Sequence, residues 1–218
     1  MDTARPALHA RTSAVTELHA AGVLLFALAA QFLTVIMLAA SMAPGYDIAG
    51  GAISDLGVIE ETSTVFNASL IVVGVLNIAG GWLFARAHGR GFVLALFVVA
   101  GVGAIGAGVF PLDSGGLHGL FALAAFIAFN LEAIAVGTVV MGPMRPLSLL
   151  AGVVGLVFVA LMVVGDSGNA AAFGPIGHGG TERMIVYPAM LWMLALAGSL
   201  MAAREDGATI VRSPRDSF

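Results

Sequence analysis

The sequence predicts an all-α membrane protein, a polytopic transmembrane bundle of six spans with its N- and C-termini in the cytoplasm. Three observations carry that expectation. Hydrophobic residues fill 59% of the 218 positions and charged ones only 10%, against roughly 25% charged in soluble domains. A soluble fold of this length has no means of hiding so much apolar surface. Six apolar stretches reach or approach the roughly 20 residues that a helix needs to cross a bilayer. Threading them back and forth brings eight of the nine arginines to one side.

Taken in order, the first span is expected at 18–40, after a cytoplasmic N-terminal segment at 1–17. Its apolar core outlasts the roughly 7 to 15 residues of a cleaved signal peptide, so it reads as a retained helix. A long polar connection at 41–64 leads to the second span at 65–85, and a tight turn leads into the third at 91–110. The fourth span follows at 118–141 and, after a short turn at 142–146, the fifth at 147–165. A second long connection, 166–182, precedes the sixth span at 183–203, and 204–218 is a polar cytoplasmic tail. Residues 18–203 thus form one membrane domain. Backbone polar groups in lipid must pair within their own segment, and no ten-residue alternation suggests a barrel, so the spans are helices. The short turns make their helices antiparallel neighbours. Gly101, Gly103, Gly106 and Gly108 in the third span, and Gly152 and Gly155 in the fifth, are spaced for close helix packing.

Orientation follows from the arginines. Arg5, Arg11, Arg86, Arg90, Arg145, Arg204, Arg212 and Arg215 fall on one side and only Arg183 on the other. The positive-inside rule makes the eight-arginine side cytoplasmic and the location a cell membrane. The chain has no Cys and no Lys, which excludes disulfides and thiolate metal sites. Without a basic stripe, nucleic acid is not an expected partner.

The polar residues collect on the outer side, where the second, fourth and sixth helices begin. Helix N-termini carry unpaired N–H groups and partial positive charge. Asn67 stands near the start of the second span, Asp113 and His118 at the fourth, and His178, Glu182 and Arg183 before the sixth; Ser54 and Asp55 lie in the first long loop. An acid and an imidazole around one helix start suit general base or metal chemistry, so His118, Asp113 and Asp55 are the candidate catalytic residues. The plainer reading is that they are interfacial caps. A metal site of His118, His178 and Asp55 or Asp113 is chemically permissible but matches no strong spacing motif, and no cofactor is specified. The glycines around His178 place it in the loop. Ser54, Asn67, His178, Glu182 and Arg183 are the candidate substrate-binding residues. Arg183 calls for a partner, either an acid such as Asp55, Asp113 or Glu182, or an anionic group such as a lipid phosphate.

Inside the bundle, Glu132 lies about fourteen residues into the fourth span, roughly 20 Å from its outer end at 1.5 Å per residue. Carboxylates at such depth face the bundle interior or a polar path. Asn77 in the second span falls at a similar depth, so a hydrogen bond between them is expected, and Asn130 adds a further polar group. A protonated Glu132 in a structural clasp and a titrating Glu132 on a proton path are both open.

The order of Ile53-Ser54-Asp55-Leu56-Gly57, Phe66-Asn67, Phe110-Pro111, His118 and Glu182-Arg183 resembles the domain-of-unknown-function 998 (DUF998) family of prokaryotic membrane proteins. The resemblance runs from about residue 20 to 202. It implies about six helices and marks Ser54, Asp55, Asn67, His118 and Arg183 as signature positions, but implies no activity. A more distant similarity, in span number and outer polar residues, is to the Frag1, DRAM and Sfk1 group of eukaryotic membrane proteins, which are linked with lipid remodelling; it is an analogy of fold alone.

Three functions are compatible with these residues. The first is a lipid-handling protein whose outer mouth binds or modifies a headgroup, with membrane lipids as its partners. The second is a small proton-coupled transporter using Glu132, and the third a non-catalytic structural membrane subunit.

Overall fold

The computed structural model describes residues 4–88 and 90–203; the tail at 204–218, with Arg204, Arg212 and Arg215, lies outside the described residues. Helices dominate, in the order α1 (Ala4–Met42), α2 (Ser63–His88), α3 (Gly91–Val109), α4 (Gly116–Val139), α5 (Met144–Asp166) and α6 (Gly177–Met201). Two short 3-10 turns, Ile53–Gly57 and Ala170–Ile176, occupy the two long connections. All six α-helices contain windows long and apolar enough to cross a membrane, and no strand element occurs among the described residues.

Successive helices pack against one another and α1 closes the circuit against α6. Because α4 also touches α6 directly, α5 lies outside their seam, and its apolar stretch is the least buried of the six. The two ends of the bundle differ. At one end, α2 passes to α3 and α4 to α5 through tight turns. There the Glu17 carboxylate meets Arg86 at 2.8 Å, His19 bonds the Ala203 carbonyl, and Arg86 lies over the Trp82 ring. At the other end, both 3-10 turns and the bend at 110–115 gather over the helix mouths.

Small residues set the helix spacing. A Cβ placed on Gly74 of α2 would meet the Gly101 carbonyl of α3, and one on Gly101 would meet the Gly74 carbonyl at 2.6 Å. The two backbones touch where lipid supplies no hydrophobic drive and packing must hold the helices together. Polar pairs add to this, with Ser69 of α2 donating to Gln31 of α1 and Trp192 of α6 donating to Ser148 of α5, each at 2.8 Å.

The expected spans agree with the helices to within a few residues, except that α1 begins at Ala4 rather than at 18 and α6 at Gly177 rather than at 183. His178, expected in the loop, is therefore in its first turn. The glycines that suggested a loop serve another purpose. The backbone at 48–51 lies directly on this turn, so that a Cβ on Gly179 would strike the Gly51 and Ile48 carbonyls.

Candidate functional site

The connection after α1 is strapped to α6 by adjacent residues of opposite charge. Glu182 accepts the backbone N–H of Ile53 and is also bonded by that of Ser54. These are orphan donors at the start of the 3-10 turn, so the carboxylate acts as its cap. Arg183 donates through Nη1 to the Gly51 carbonyl at 3.0 Å and the Gly179 carbonyl at 2.8 Å, and through Nη2 to the Tyr46 hydroxyl at 2.7 Å. The Tyr46 hydroxyl in turn donates to the Ala52 carbonyl at 2.6 Å. Burial pushes the Tyr46 phenol above its ordinary pKa, although the Arg183 bond pulls the other way. Sequence reasoning offered Arg183 an acid or an external anion. The structure gives it carbonyls and a phenol.

The far end of the Ile53–Gly57 turn is pinned as well. Asn67 donates to the Gly57 carbonyl at 2.8 Å, and Thr62 donates to the Leu56 carbonyl at 2.7 Å. Asp55 accepts the Ala52 N–H at 2.8 Å, closing the turn on itself. Ile53 and Leu56 point into the core. The turn is thus a fixed plug over the bundle mouth, held by Glu182 on one side and Asn67 on the other.

His118, only 4% exposed, lies in the first turn of α4. Its Nδ1 is 2.9 Å from the Phe110 carbonyl. Neither Asp113, which is exposed, nor Asp55 hydrogen-bonds it among the described residues. Asp113 does not cap α4 either, whose N-cap is Gly115 at φ +69°, a conformation that suits glycine. His178 pairs with Asp166 at 3.1 Å and sets its ring edge-on to Phe173, joining the ends of α5 and α6. No group of three His, Asp or Glu among the described residues is placed to hold a metal ion.

Behind the plug lies a cavity of about 60 Å³, lined by residues of α1, α2, α3, α4 and α6 and by the 3-10 turn. Ser54, His118 and Glu182 stand at its mouth, and Asn130 is its deepest polar residue on α4. From His118 to Asn130 is twelve residues, about 18 Å along a helix. The wall between is almost wholly apolar, with Phe32, Phe66, Phe126 and Phe129 facing Ala104, Ala107, Ala122 and Ala125. These residues escaped sequence reasoning, because in a membrane helix an inward-facing Ala or Phe looks like any other.

Of the eleven candidate residues, the cavity brings together Ser54, His118, Glu182 and Asn130. Asp55, Asn67 and Arg183 secure the plug, while Asp113 and His178 stand apart. Asn77 and Glu132 form a separate buried pair, 2.9 Å from Nδ2 to Oε2, outside the cavity lining. Asn130 uses its amide N–H groups on the Phe126 and Ile185 carbonyls.

Comparison with known proteins gives one finding. A family model described as a protein of unknown function, DUF998, matches residues 20–199. No curated protein and no solved structure matches the chain.

Proposed function

The chain belongs to the DUF998 family, and we propose, from the cavity and not from that membership, that this multi-pass membrane protein binds a membrane lipid. Its head rests at Ser54, His118 and Glu182, and the first carbons of its apolar chain fill the cavity of about 60 Å³ behind them. The single observation that carries this reading is the cavity itself, polar at the mouth and apolar over about 18 Å of helix. A site of that shape suits an amphiphile, since polar ligands gain nothing from such walls and the few polar groups fix orientation.

The mouth faces the extracytoplasmic side of a cell membrane in this proposal. Arg86, Arg90 and Arg145 all lie toward the opposite end of the bundle, as the positive-inside rule asks of the cytoplasmic end. Any modification of the bound lipid would use His118 as base. No carboxylate among the described residues orients that ring, so the support is for binding rather than for catalysis. The proton-coupled alternative is less well supported, because Glu132 is bonded to Asn77 and does not line the cavity.

Lipid extraction from the purified protein tests the proposal. Mass spectrometry should find a lipid at stoichiometric amount in the parent protein and its loss in Ala122→Trp, where the indole fills the cavity. Equal retention by both proteins would remove the cavity as the binding site.

A further inference from the structure

We infer that the cavity selects an uncharged lipid with a hydroxyl head and rejects one headed by phosphate or carboxylate. This rests on the lipid-binding reading above and deepens it. The Phe110 carbonyl 2.9 Å from His118 Nδ1 can only accept, so Nδ1 carries a proton. In the neutral ring Nε2 is then left with a lone pair and acts as an acceptor. Glu182, the second group at the mouth, is a carboxylate cap already turned to the N–H groups of Ile53 and Ser54. Ser54 brings a hydroxyl, which both donates and accepts.

No cation lines this cavity. Arg183, one residue from Glu182, spends its guanidinium on Gly51, Gly179 and Tyr46. An anionic head would sit beside the Glu182 carboxyl group in a low-dielectric mouth with no cation directed at it, since the neighbouring Arg183 is committed to the loop, and burying an unpaired charge is strongly unfavourable. A hydroxyl head avoids that cost, because it donates to His118 Nε2 and accepts from Ser54. The resident charges thus hold the plug shut and leave the ligand a cation-free, acceptor-biased seat.

Three probes that share a chain and differ in the head test this on the full chain in detergent. They are 1-decanol, its methyl ether, which cannot donate, and decyl phosphate. Decanol should bind at least about tenfold more tightly than either of the others, in keeping with one good hydrogen bond or one avoided buried charge. In His118→Phe the preference of alcohol over ether should vanish while the ether still binds, and Ala122→Trp should lose all three. Decyl phosphate binding as tightly as decanol overturns the selectivity but leaves the cavity a lipid site. Failure of all three probes removes the lipid-binding reading itself. Should His118→Phe not fold, the ratios in the parent protein decide alone, and parity of alcohol with ether overturns the inference.

Discussion

Asn77 of α2 donates its side-chain N–H to Glu132 of α4 across 2.9 Å, with both residues at 0% exposure. The same amide nitrogen also donates to the Phe97 carbonyl of α3 at 3.0 Å. One carboxyl and one amide therefore tie three helices together at a depth where water cannot replace either partner. Two acceptors of this pair, Asn77 Oδ1 and Glu132 Oε1, have no partner in the described structure.

The pair should behave as a coupled unit. Glu132→Leu strands an amide N–H, and Asn77→Leu strands a carboxyl group, so each alone is destabilising. The double substitution removes both, and a double-mutant cycle of unfolding in mixed micelles should return a coupling of about 0.5–2 kcal/mol. Glu132→Gln keeps an acceptor for Asn77 and should be the mildest change. Additive single effects would show that the bond contributes nothing. Solute uptake driven by a proton gradient and lost in Glu132→Gln would instead favour the transporter alternative.

The plug yields a second prediction. Glu182→Leu leaves the N–H groups of Ile53 and Ser54 buried without an acceptor, at about 1–3 kcal/mol for each unsatisfied group. Its effect should be local. Limited proteolysis should cut within 44–58 far faster than in the parent, with the helices still protected. Arg183→Lys should also loosen the loop, because one ammonium cannot copy the planar fork that reaches Gly51, Gly179 and Tyr46. Unchanged cleavage in both variants would mean that the strap does not hold the plug.

How far the sequence disclosed this arrangement depends on the range of the force involved. Hydropathy is a local property, so the six spans could be read directly, and Glu132 with Asn77 could be paired from matching depth alone. The partners of Glu182 and Arg183 lie 128 to 137 residues upstream, apart from the Gly179 carbonyl one turn away. Most are backbone groups, which carry no residue-type signal. For the same reason Phe110 rather than Asp113 bonds His118. Gly177, Gly179 and Gly180 misled in another way: read as keeping His178 in the loop, the first two make room for a backbone crossing the helix start, and the third packs on the Ile176 side chain.

Glycine substitutions separate contact from composition. A Cβ on Gly155 would run into the Asn130 side-chain amide, and one on Gly101 would meet the Gly74 carbonyl, whereas one on Gly198 meets nothing within 4 Å. Gly155→Ala and Gly101→Ala should each cost about 1–3 kcal/mol through overpacking. Gly198→Ala should be neutral or stabilising by up to about 1 kcal/mol, since Ala is the better helix former. The comparison needs only unfolding midpoints. Equal shifts for the three variants would place the α2–α3 and α4–α5 contacts wrongly.

The orientation proposal is the most direct to test, because the chain has no cysteine and needs no background removed. Glu60 and Arg145 are both exposed, the first in the long connection between α1 and α2, the second in the first turn of α5 at the opposite end. In intact cells a membrane-impermeant maleimide should label Glu60→Cys and leave Arg145→Cys unlabelled until the membrane is opened. The physical ground is the segregation of arginines, whose translocation across an energised membrane is opposed at about 2.3 kcal/mol per charge for each 100 mV. Arg183 is the exception that this reasoning must carry, and its three hydrogen-bond partners at the loop end supply the compensation. The reverse labelling pattern would put the cavity mouth in the cytoplasm. The lipid it meets would then come from the inner leaflet, with the geometry of the site unchanged.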